Sequence, residues 1–368
     1  MFYLGGVGLA FFLFLLLLSK SRKTFADNIL AGWLLVITAH LLLFYFRKTW
    51  LYPQLLGIEI PLPLVHGPFL YLYTRALTDR RLSPGVSLLH YVPSLAVLLY
   101  IIPFFALSQE QKLFVYQHNG AGYETFSQIK VYLIIASGVL YVTLSGISLK
   151  KHRAAIANQF SSIEKINLLW LQYLIYWIGT IWILVIFAND DWIYSATVFF
   201  VLFIGFFGIR QVRIFITPEV ISREKENATR DEMENDPANR PKYQKSGLSA
   251  DSSESLHQDL SLIMSNEKLF RESELSLSEL ARRLNAPPNY LSQVINEREG
   301  KNFYDYINSM RIEEFKRLAT GPDSRKYTLL ALAQECGFNS KSSFNRYFKK
   351  VTGKSPSEFV QTVSDSGN

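Results

Sequence analysis

The sequence predicts an all-α protein with a seven-helix transmembrane bundle, a flexible polar linker, and a double helix-turn-helix domain whose motifs are joined by a long helix. Long apolar runs dominate residues 1–216, charged and polar residues dominate the remainder, and one helical pattern occurs twice near the C-terminus. We place the bundle at 1–216, the linker at 217–255 and the helix-turn-helix domain at 256–362, followed by a tail at 363–368.

Apolar windows of spanning length recur along the first 216 residues, and a membrane helix needs about 20 mostly apolar residues. The third window is the weakest because Pro61, Pro63 and Pro68 interrupt it, although neighbouring helices can satisfy the backbone groups that prolines free. The first window lacks the basic start and cleavage site of a signal peptide, so we expect it to be retained. The predicted spans are 2–18, 25–46, 60–78, 87–107, 128–149, 167–188 and 192–209.

Basic residues are distributed unequally between the two sets of loops. Cytoplasmic loops carry an excess of Lys and Arg, which favours an N-terminus outside the membrane. An odd number of spans then places the C-terminus in the cytoplasm. The richer, cytoplasmic set is Lys20, Arg22, Lys23, Arg80, Arg81, Lys150, Lys151, Arg153, Lys165, Arg210 and Arg213. The opposite set is Arg47, Lys48 and Lys112.

Three histidines, His40, His66 and His90, fall within or beside predicted spans. Polar groups are costly inside a membrane and often functional, but they also form hydrogen bonds that fix helix packing. We favour packing for each histidine and keep ligand contact as the alternative. The outward loops add Trp50 and Asp190, so the candidate contacts for a signal ligand are His66, His40, Trp50 and Asp190.

Motifs for catalysis or metal binding are missing from the sequence. The spans contain neither HExxH nor GxSxG, which disfavours an intramembrane protease or hydrolase. A single cysteine, Cys336, excludes an intrachain disulfide and a cysteine-based zinc site, and we expect it to be a small buried residue. We therefore predict a protein that is not an enzyme and has no cofactor and no metal site.

The predicted linker, 217–255, is charged, rich in Pro, Ser and Asn, and poor in apolar residues. Such a segment cannot bury enough apolar surface to offset the entropy of ordering it. We expect it to act as a flexible connection between the two domains.

The C-terminal domain contains two copies of one pattern, SLSELARRLNAPPNYLSQVI and TLLALAQECGFNSKSSFNRYF. In both, an alanine is followed four residues later by a residue that tolerates positive φ. Leu291 and Phe344 then place an apolar side chain on the second helix of each copy, facing the core. The alanine and turn residues are Ala281 with Asn285, and Ala333 with Gly337.

Capping signals bound the helices of this domain. A connecting helix over residues 302–319 would be about 27 Å long at 1.5 Å per residue. The capping residues are Ser276 with Glu279, Asn302 with Asp305, Ser340, and Ser355 with Pro356 and Glu358.

Residues from about 257 to 361 resemble the AraC/XylS-type DNA-binding domain. The clearest match is CGFNSKSSFNRYFKKVTGKSPSEF, and the resemblance covers a little over a quarter of the chain. It implies that two recognition helices enter successive major grooves of double-stranded DNA. The N-terminal part resembles the membrane-embedded versions of such regulators, which implies a multi-pass protein of the bacterial inner membrane with a cytoplasmic DNA-binding domain.

The second recognition helix has an apolar stripe of Phe344, Phe348 and Val351. Arg346 can make a bidentate contact with guanine, and Lys349, Lys350 and Lys354 are suited to phosphates. The alternative is an ordinary solvated basic face. The predicted DNA contacts of this helix are Lys341, Ser342, Ser343, Asn345, Arg346, Lys349 and Lys350.

The first recognition helix begins near Pro288 and is less basic. Its favoured base contact is Gln293 with adenine. Residues 253–368 carry 16 basic and 15 acidic residues, so one domain should bind DNA modestly and a homodimer on adjacent half-sites should bind more tightly. The predicted contacts of this helix are Asn289, Tyr290, Ser292, Gln293 and Asn296.

Together these features predict a one-component regulator that couples a signal at the membrane to promoter binding. Its expected partners are double-stranded DNA, the lipid bilayer, a second copy of the chain, RNA polymerase and an unidentified signal ligand. The alternative is a transporter- or receptor-like membrane protein whose helix-turn-helix tail is a regulatory docking module.

Overall fold

The computed structural model describes residues 1–78, 82–164, 166–211, 250–321 and 326–366. These residues form helices and turns, and their one pairing of extended backbone is an isolated bridge between Phe160 and Ser276. The predicted all-α class is therefore confirmed over the described residues. Most of the predicted linker, residues 217–249, lies outside them, as do Arg80, Arg81, Lys165 and Arg213.

The helices in chain order are α1 Phe2–Ser19, α2 Phe25–Thr49, α3 Pro63–Leu77, α4 Pro84–Leu89, α5 Val92–Tyr100, α6 Ile102–Phe105, α7 Gln109–Gln117, α8 Glu124–Ala157, α9 Leu169–Phe187, α10 Asp190–Gln211, α11 Ala250–Asn266, α12 Leu277–Arg283, α13 Pro288–Glu299, α14 Phe303–Ala319, α15 Leu329–Glu335, α16 Lys341–Thr352 and α17 Pro356–Ser366. Short 3₁₀ turns occupy Pro53–Leu55 and Leu269–Arg271. The chain divides into two compact units. The first, Met1–Lys151 with Leu168–Glu219, contains the predicted spans, and we call it the membrane unit after that prediction. The second is a C-terminal unit, His152–Asn167 with Val220–Asn368.

Five of the seven predicted spans are single helices long and apolar enough to cross a membrane: α1, α2, α8, α9 and α10. The third is α3, whose 15 residues extend about 23 Å against a hydrocarbon core of about 30 Å. The fourth is divided into α4, α5 and α6, each with a proline in its first turn. Proline lacks an N–H and starts helices rather than continuing them, which explains the division.

The membrane unit has a core of apolar side chains from α1, α2, α9 and α10, including the fully buried Trp33 and Leu41. The start of α1, the end of α2 and the start of α10 meet at one end of the unit. There the Tyr3 hydroxyl donates to Asp191 at 2.8 Å, and Arg47 pairs with Asp190 at 2.5 Å. These three helix ends lie on one side of the membrane in the topology that the loop charges predict.

The core of the C-terminal unit has two parts, one for each helix-turn-helix copy. Helix α14 contributes to both. Phe303 and Ile307 pack in the first part, and Ile312 and Phe315 pack in the second. Because one helix lies in both cores, its 17 residues fix the spacing between the two copies.

Candidate functional site

The turns of the two copies have the backbone conformation that their sequences predict. Asn285 has φ of 48° and Gly337 has φ of 95°. Ala281 and Ala333 are fully buried beside these turns. Leu291 and Phe344 are buried as well, so both copies are helix-turn-helix motifs with their second helix packed into the core.

Side-chain caps begin the helices where the sequence places them. The Ser276 hydroxyl accepts from the Glu279 N–H at 3.2 Å, and Asn302 accepts from the Asp305 N–H at 2.8 Å. Ser340 caps α16 in the same way. One detail differs from expectation. The Glu279 carboxylate binds Arg282 and Arg283 and does not close a capping box with Ser276.

Helix α16 presents a basic face to solvent, with one correction to the predicted contacts and one to the predicted apolar stripe. Ser343 is only 3% exposed, and its hydroxyl donates to the Ser340 carbonyl at 3.1 Å, so it belongs to the helix cap and not to the exposed face. Val351 is 43% exposed, and Tyr347 takes the expected core position in its place. The contacts that remain on the exposed face are Lys341, Ser342, Asn345, Arg346, Lys349 and Lys350.

The charges on this face are not equally available. Lys350 pairs with Asp305 at 2.7 Å, and Arg346 lies 3.9 Å from Glu164. Lys341 and Lys349 form no ion pair with the described residues. Arg346, Lys341 and Lys349 could therefore contact an anionic ligand without first breaking a close ion pair, whereas Lys350 could not.

On helix α13, two of the predicted contact residues form side-chain hydrogen bonds within the helix. The Gln293 side-chain amide donates to Glu297 at 2.9 Å, and the Asn296 amide donates to the Ser292 carbonyl at 2.7 Å. Asn289 is exposed and Tyr290 is half-buried. The predicted contacts share one helix, but two of their amides already have partners on it.

Arg311 is a buried, hydrogen-bonded residue that the sequence interpretation missed. It stands on α14 in the four-residue series that also contains Phe303, Ile307 and Phe315, and it is 1% exposed. Its guanidinium donates to the Phe270 carbonyl at 2.6 Å and the Glu272 carbonyl at 2.8 Å. A basic residue on an apolar stripe was the available signal.

The remaining Arg311 donors bind a segment distant in sequence, residues 159–164, which we call the interhelical segment because it lies between α8 and α9. Arg311 donates to the Ser161 hydroxyl at 3.1 Å and carbonyl at 3.3 Å. Asn308 also donates to that carbonyl at 2.9 Å, and the Ser161 hydroxyl donates to the Leu275 carbonyl at 2.7 Å. The Leu277 N–H donates to the carbonyl of Gln159 at 2.8 Å.

Burial and charge shift several pKa values in the C-terminal unit. Burial lowers the pKa of Arg311 to about 10, which leaves it charged at neutral pH. Hydrogen bonds from Arg317, Arg271 and Lys268 hold the pKa of Glu314 well below its usual range. Burial raises the pKa of the Cys336 thiol to about 12, and Cys336 is fully buried as predicted. Such a thiol is unreactive at neutral pH.

The predicted ligand contacts lie in different places within the membrane unit. His40, His66 and Asp190 line one cavity of about 470 Å³, which we call the bundle cavity. Trp50 ends α2, is exposed, and does not line this cavity. His90 also lies outside it and bonds the Tyr141 hydroxyl at 3.0 Å.

Residues 280–362 match the family model of a helix-turn-helix domain. The C-terminal region of this chain is a helix-turn-helix domain. The match agrees with the two turns, the buried alanines and the capped recognition helices described above. It supports the resemblance to AraC/XylS-type domains for this part of the chain.

Relatives with similar sequences are transcription regulators by name. The chain is 34% identical over 90 residues to the uncharacterized HTH-type transcriptional regulator YtdP of Bacillus subtilis, covering 24% of this chain and 11% of that one. It is 34% identical over 87 residues to the uncharacterized regulator YijO of Escherichia coli, covering 24% and 30%. It is 26% identical over 94 residues to the Msm operon regulatory protein of Streptococcus mutans, covering 26% and 33%.

The chain thus spans a third or less of the length of these relatives. No solved structure matches it. The similarities support a DNA-binding regulator of transcription, and they concern about a quarter of the chain.

Proposed function

We propose that this protein is a membrane-anchored, sequence-specific regulator of transcription that couples a signal at the membrane to promoter binding. The observation that carries the proposal is the exposed basic face of α16, on a helix that is capped and packed as the second helix of a helix-turn-helix motif. Our proposed partners are double-stranded DNA, the bilayer, a second copy of the chain on adjacent half-sites, and RNA polymerase at the promoter.

Roles within the DNA interface follow from side-chain chemistry. Arg346 has a planar fork of donors that matches the two acceptors of guanine, and Asn345 lies beside it on the exposed face. Lys341 and Lys349, which have no ion pair with the part of the chain that the structure describes, are point charges suited to phosphates, which position a protein without specifying sequence. Gln293 on α13 would have to release Glu297 before it contacts a base.

For the membrane unit we propose seven passes with the N-terminus outside and the C-terminus in the cytoplasm of a bacterial inner membrane. The five long apolar helices support spanning, and α3 and α4 to α6 would form the two interrupted passes. Many large apolar side chains of this unit are exposed, among them Phe12, Leu88, Tyr132 and Phe187. Outward-facing apolar surface of this extent favours contact with lipid.

Coupling would run through the interhelical segment. This segment is covalently continuous with α8 and α9, and its hydrogen bonds with Arg311, Asn308 and Leu277 hold it against the connecting helix and the start of the first copy. A buried guanidinium that loses acceptors is costly. A shift of α8 or α9 would therefore strain the helix that sets the spacing of the two recognition helices.

The DNA-binding proposal is tested with full-length protein in lipid nanodiscs and a random double-stranded DNA library. We expect repeated selection to enrich one motif containing guanine. Arg346→Ala should lose discrimination at that guanine, whereas Arg282→Ala, on the exposed side of α12, should not. Failure to enrich any motif would instead favour the docking-module alternative.

Membrane topology is tested by labelling introduced cysteines with a membrane-impermeant maleimide, and the burial of Cys336 keeps the background low. Asn119→Cys precedes α8, and Lys151→Cys lies near its other end. We expect labelling of the first in intact cells and of the second only after permeabilisation. Labelling of both in intact cells would contradict the proposed orientation.

Coupling is tested by measuring operator affinity and amide exchange together. Ser161→Ala removes one acceptor and one donor from the Arg311 site, and Ser162→Ala is the neighbouring control. We expect Ser161→Ala to speed hydrogen exchange in α14 and to change operator affinity, with a smaller effect of the control. Unchanged exchange and affinity in both variants would remove this route.

A further inference from the structure

The bundle cavity is enclosed by side chains from α2, α3, α8, α9 and α10, with α6 and α7 at one end. Its volume of about 470 Å³ falls within the range of about 300–1,000 Å³ that small-molecule sites occupy. Its middle is apolar, with Ile37, Ile134 and Ile178 among the lining residues. Trp33 and Arg47 line it 14 residues apart on α2, so it extends about 20 Å along that helix.

A chain of hydrogen bonds joins four side chains in the wall of the cavity. The Trp33 indole lies 3.1 Å from His66 Nδ1, His66 Nε2 lies 2.9 Å from His40 Nδ1, and His40 Nε2 lies 2.8 Å from the Tyr194 hydroxyl. An indole N–H can only donate. His66 therefore accepts at Nδ1 and donates from Nε2, which makes His40 accept at Nδ1 and donate from Nε2.

This order leaves one group uncommitted. All four ring nitrogens of His40 and His66 are used, so neither histidine can bind a ligand without breaking the chain. The Tyr194 oxygen accepts from His40, and its own proton has no acceptor among the described residues. The histidines thus act as positioning residues, and the donor they aim is the Tyr194 hydroxyl.

The charged end of the cavity also contains a donor without a partner among the described residues. Both of its carboxylates already have partners: Asp190 binds Arg47 at 2.5 Å, and Glu59 accepts from the Tyr116 hydroxyl at 2.6 Å and from the Gly57 N–H at 3.0 Å. Lys130 also lines the cavity, and it makes no hydrogen bond or ion pair with the described residues. Lys130 is therefore the one cationic group lining the cavity that has no partner among the described residues.

We propose that the bundle cavity binds an anionic amphiphile, an organic acid whose apolar body fills the middle and whose acid group meets Lys130. The Tyr194 hydroxyl offers a second donor to an acceptor on the same ligand. The apolar lining disfavours a small hydrophilic anion. An anionic head group is favoured over a cationic one because Asp190 already pairs with Arg47, whereas Lys130 has no ion pair with the described residues. This proposal rests on the proposed sensing role, since it names the class of signal that the membrane unit would receive.

Binding is measured on the full-length protein in nanodiscs by the fluorescence of Trp33 and Trp182, which line the cavity. The probes are decanoate, decanol and decylammonium, which share an apolar chain and differ in head-group charge, with empty nanodiscs subtracted for partitioning. We expect saturable binding of decanoate, at least about tenfold tighter than of decanol, and no saturable binding of decylammonium.

Two variants assign the binding to the cavity. Lys130→Met keeps the length of the side chain and removes its charge, and Tyr194→Phe removes only the hydroxyl. We expect both to weaken decanoate binding, Lys130→Met about tenfold or more, and to leave decanol unchanged. Lys151→Met, on the exposed part of the same helix, is the matched control and should bind like wild type.

The proposal is overturned if decanol or decylammonium binds as tightly as decanoate. It is also overturned if Lys130→Met and Tyr194→Phe, each shown to be folded by thermal denaturation, bind decanoate like Lys151→Met. DNA selection is performed in nanodiscs with no decanoate, decanol or decylammonium added. Loss of the ligand proposal and loss of the DNA-binding proposal are thereby separate results.

Discussion

The turn of the second helix-turn-helix copy is enclosed, whereas the turn of the first is open. A Cβ atom on Gly337 would lie 2.7 Å from the Arg271 carbonyl oxygen and 2.8 Å from that of Phe270. Asn285, at the same position of the first copy, has positive φ but is exposed to solvent. In the second copy this motif position requires glycine, because the backbone has positive φ and there is no room for a Cβ atom. In the first copy the position requires only a residue that tolerates positive φ.

The two recognition helices also differ, in how many of their polar side chains already have partners. On helix α16, Arg346, Lys341 and Lys349 are exposed, and among the described residues the one ion pair of these three is the 3.9 Å contact of Arg346 with Glu164. On α13, the side-chain amides of Gln293 and Asn296 donate hydrogen bonds to other residues of the same helix. We therefore propose different roles for two copies that share one sequence pattern. In this proposal the second copy contacts bases and phosphates, and the first mainly positions the domain on DNA.

The largest expected difference between the copies is in stability. Gly337→Ala adds a methyl group against backbone oxygen and a side chain at positive φ. We expect it to cost about 3 kcal/mol, whereas Asn285→Ala should cost about 1 kcal/mol. Hydrogen exchange of α14 in the full-length protein measures both. Equal destabilisation would show that the close approach to residues 270–271 is not what distinguishes the turns.

Local features of the C-terminal unit were predictable because they depend on neighbours in sequence. The caps at Ser276, Asn302 and Ser340 and the turns at Asn285 and Gly337 require only residues a few positions away. The prediction that Val351 is in the core was wrong because it extended the apolar stripe from Phe344 to the residue seven positions later. Helix α16 instead buries Tyr347 and exposes its last turn.

Long-range features could not be predicted in the same way. Arg311 interrupts an apolar stripe, but its acceptors on Ser161 are 150 positions away. The chain of hydrogen bonds through His40 and His66 needs distances between helices that periodicity does not supply. Likewise, hydropathy found the fourth predicted span but not its division at successive prolines.

A second prediction concerns the segment that encloses the second turn. Glu314 is 7% exposed in its side chain and binds Arg271, which belongs to that segment, and Lys268, which precedes it, as well as Arg317. Its folded pKa is depressed, so its contribution to stability is present above the unfolded value of about 4.3 and is lost as the pH falls below that value.

Glu314→Gln should therefore cost about 2 kcal/mol at pH 7, and the difference from wild type should shrink below about pH 4.3. Glu313→Gln is the control, since Glu313 is exposed and binds only Lys316 among the described residues. Thermal denaturation across the pH range measures the effect. A difference that is constant with pH would show that the carboxylate charge is not its cause.

The expected difference between the copies in operator affinity is smaller than the difference in stability. We expect Arg346→Ala to weaken binding to the selected operator by about 1–3 kcal/mol and to relax discrimination at one guanine. Gln293→Ala should have less effect because its amide is already engaged by Glu297. Quantitative footprinting at one salt concentration compares the two. A larger loss for Gln293→Ala would reverse the roles assigned to the copies.

The smallest effect distinguishes two adjacent lysines on α16. Lys349 is unpaired among the described residues, so its contact with a phosphate would release a counterion, and Lys349→Ala should reduce the salt dependence of binding by about one charge. Lys350 must first leave Asp305, so Lys350→Ala should change that slope less. Operator affinity measured over a range of salt concentrations gives both slopes. If Lys350→Ala changes the slope as much as Lys349→Ala, the Asp305 pair opens on DNA, and the basic face of the second copy is one charge larger than the free domain presents.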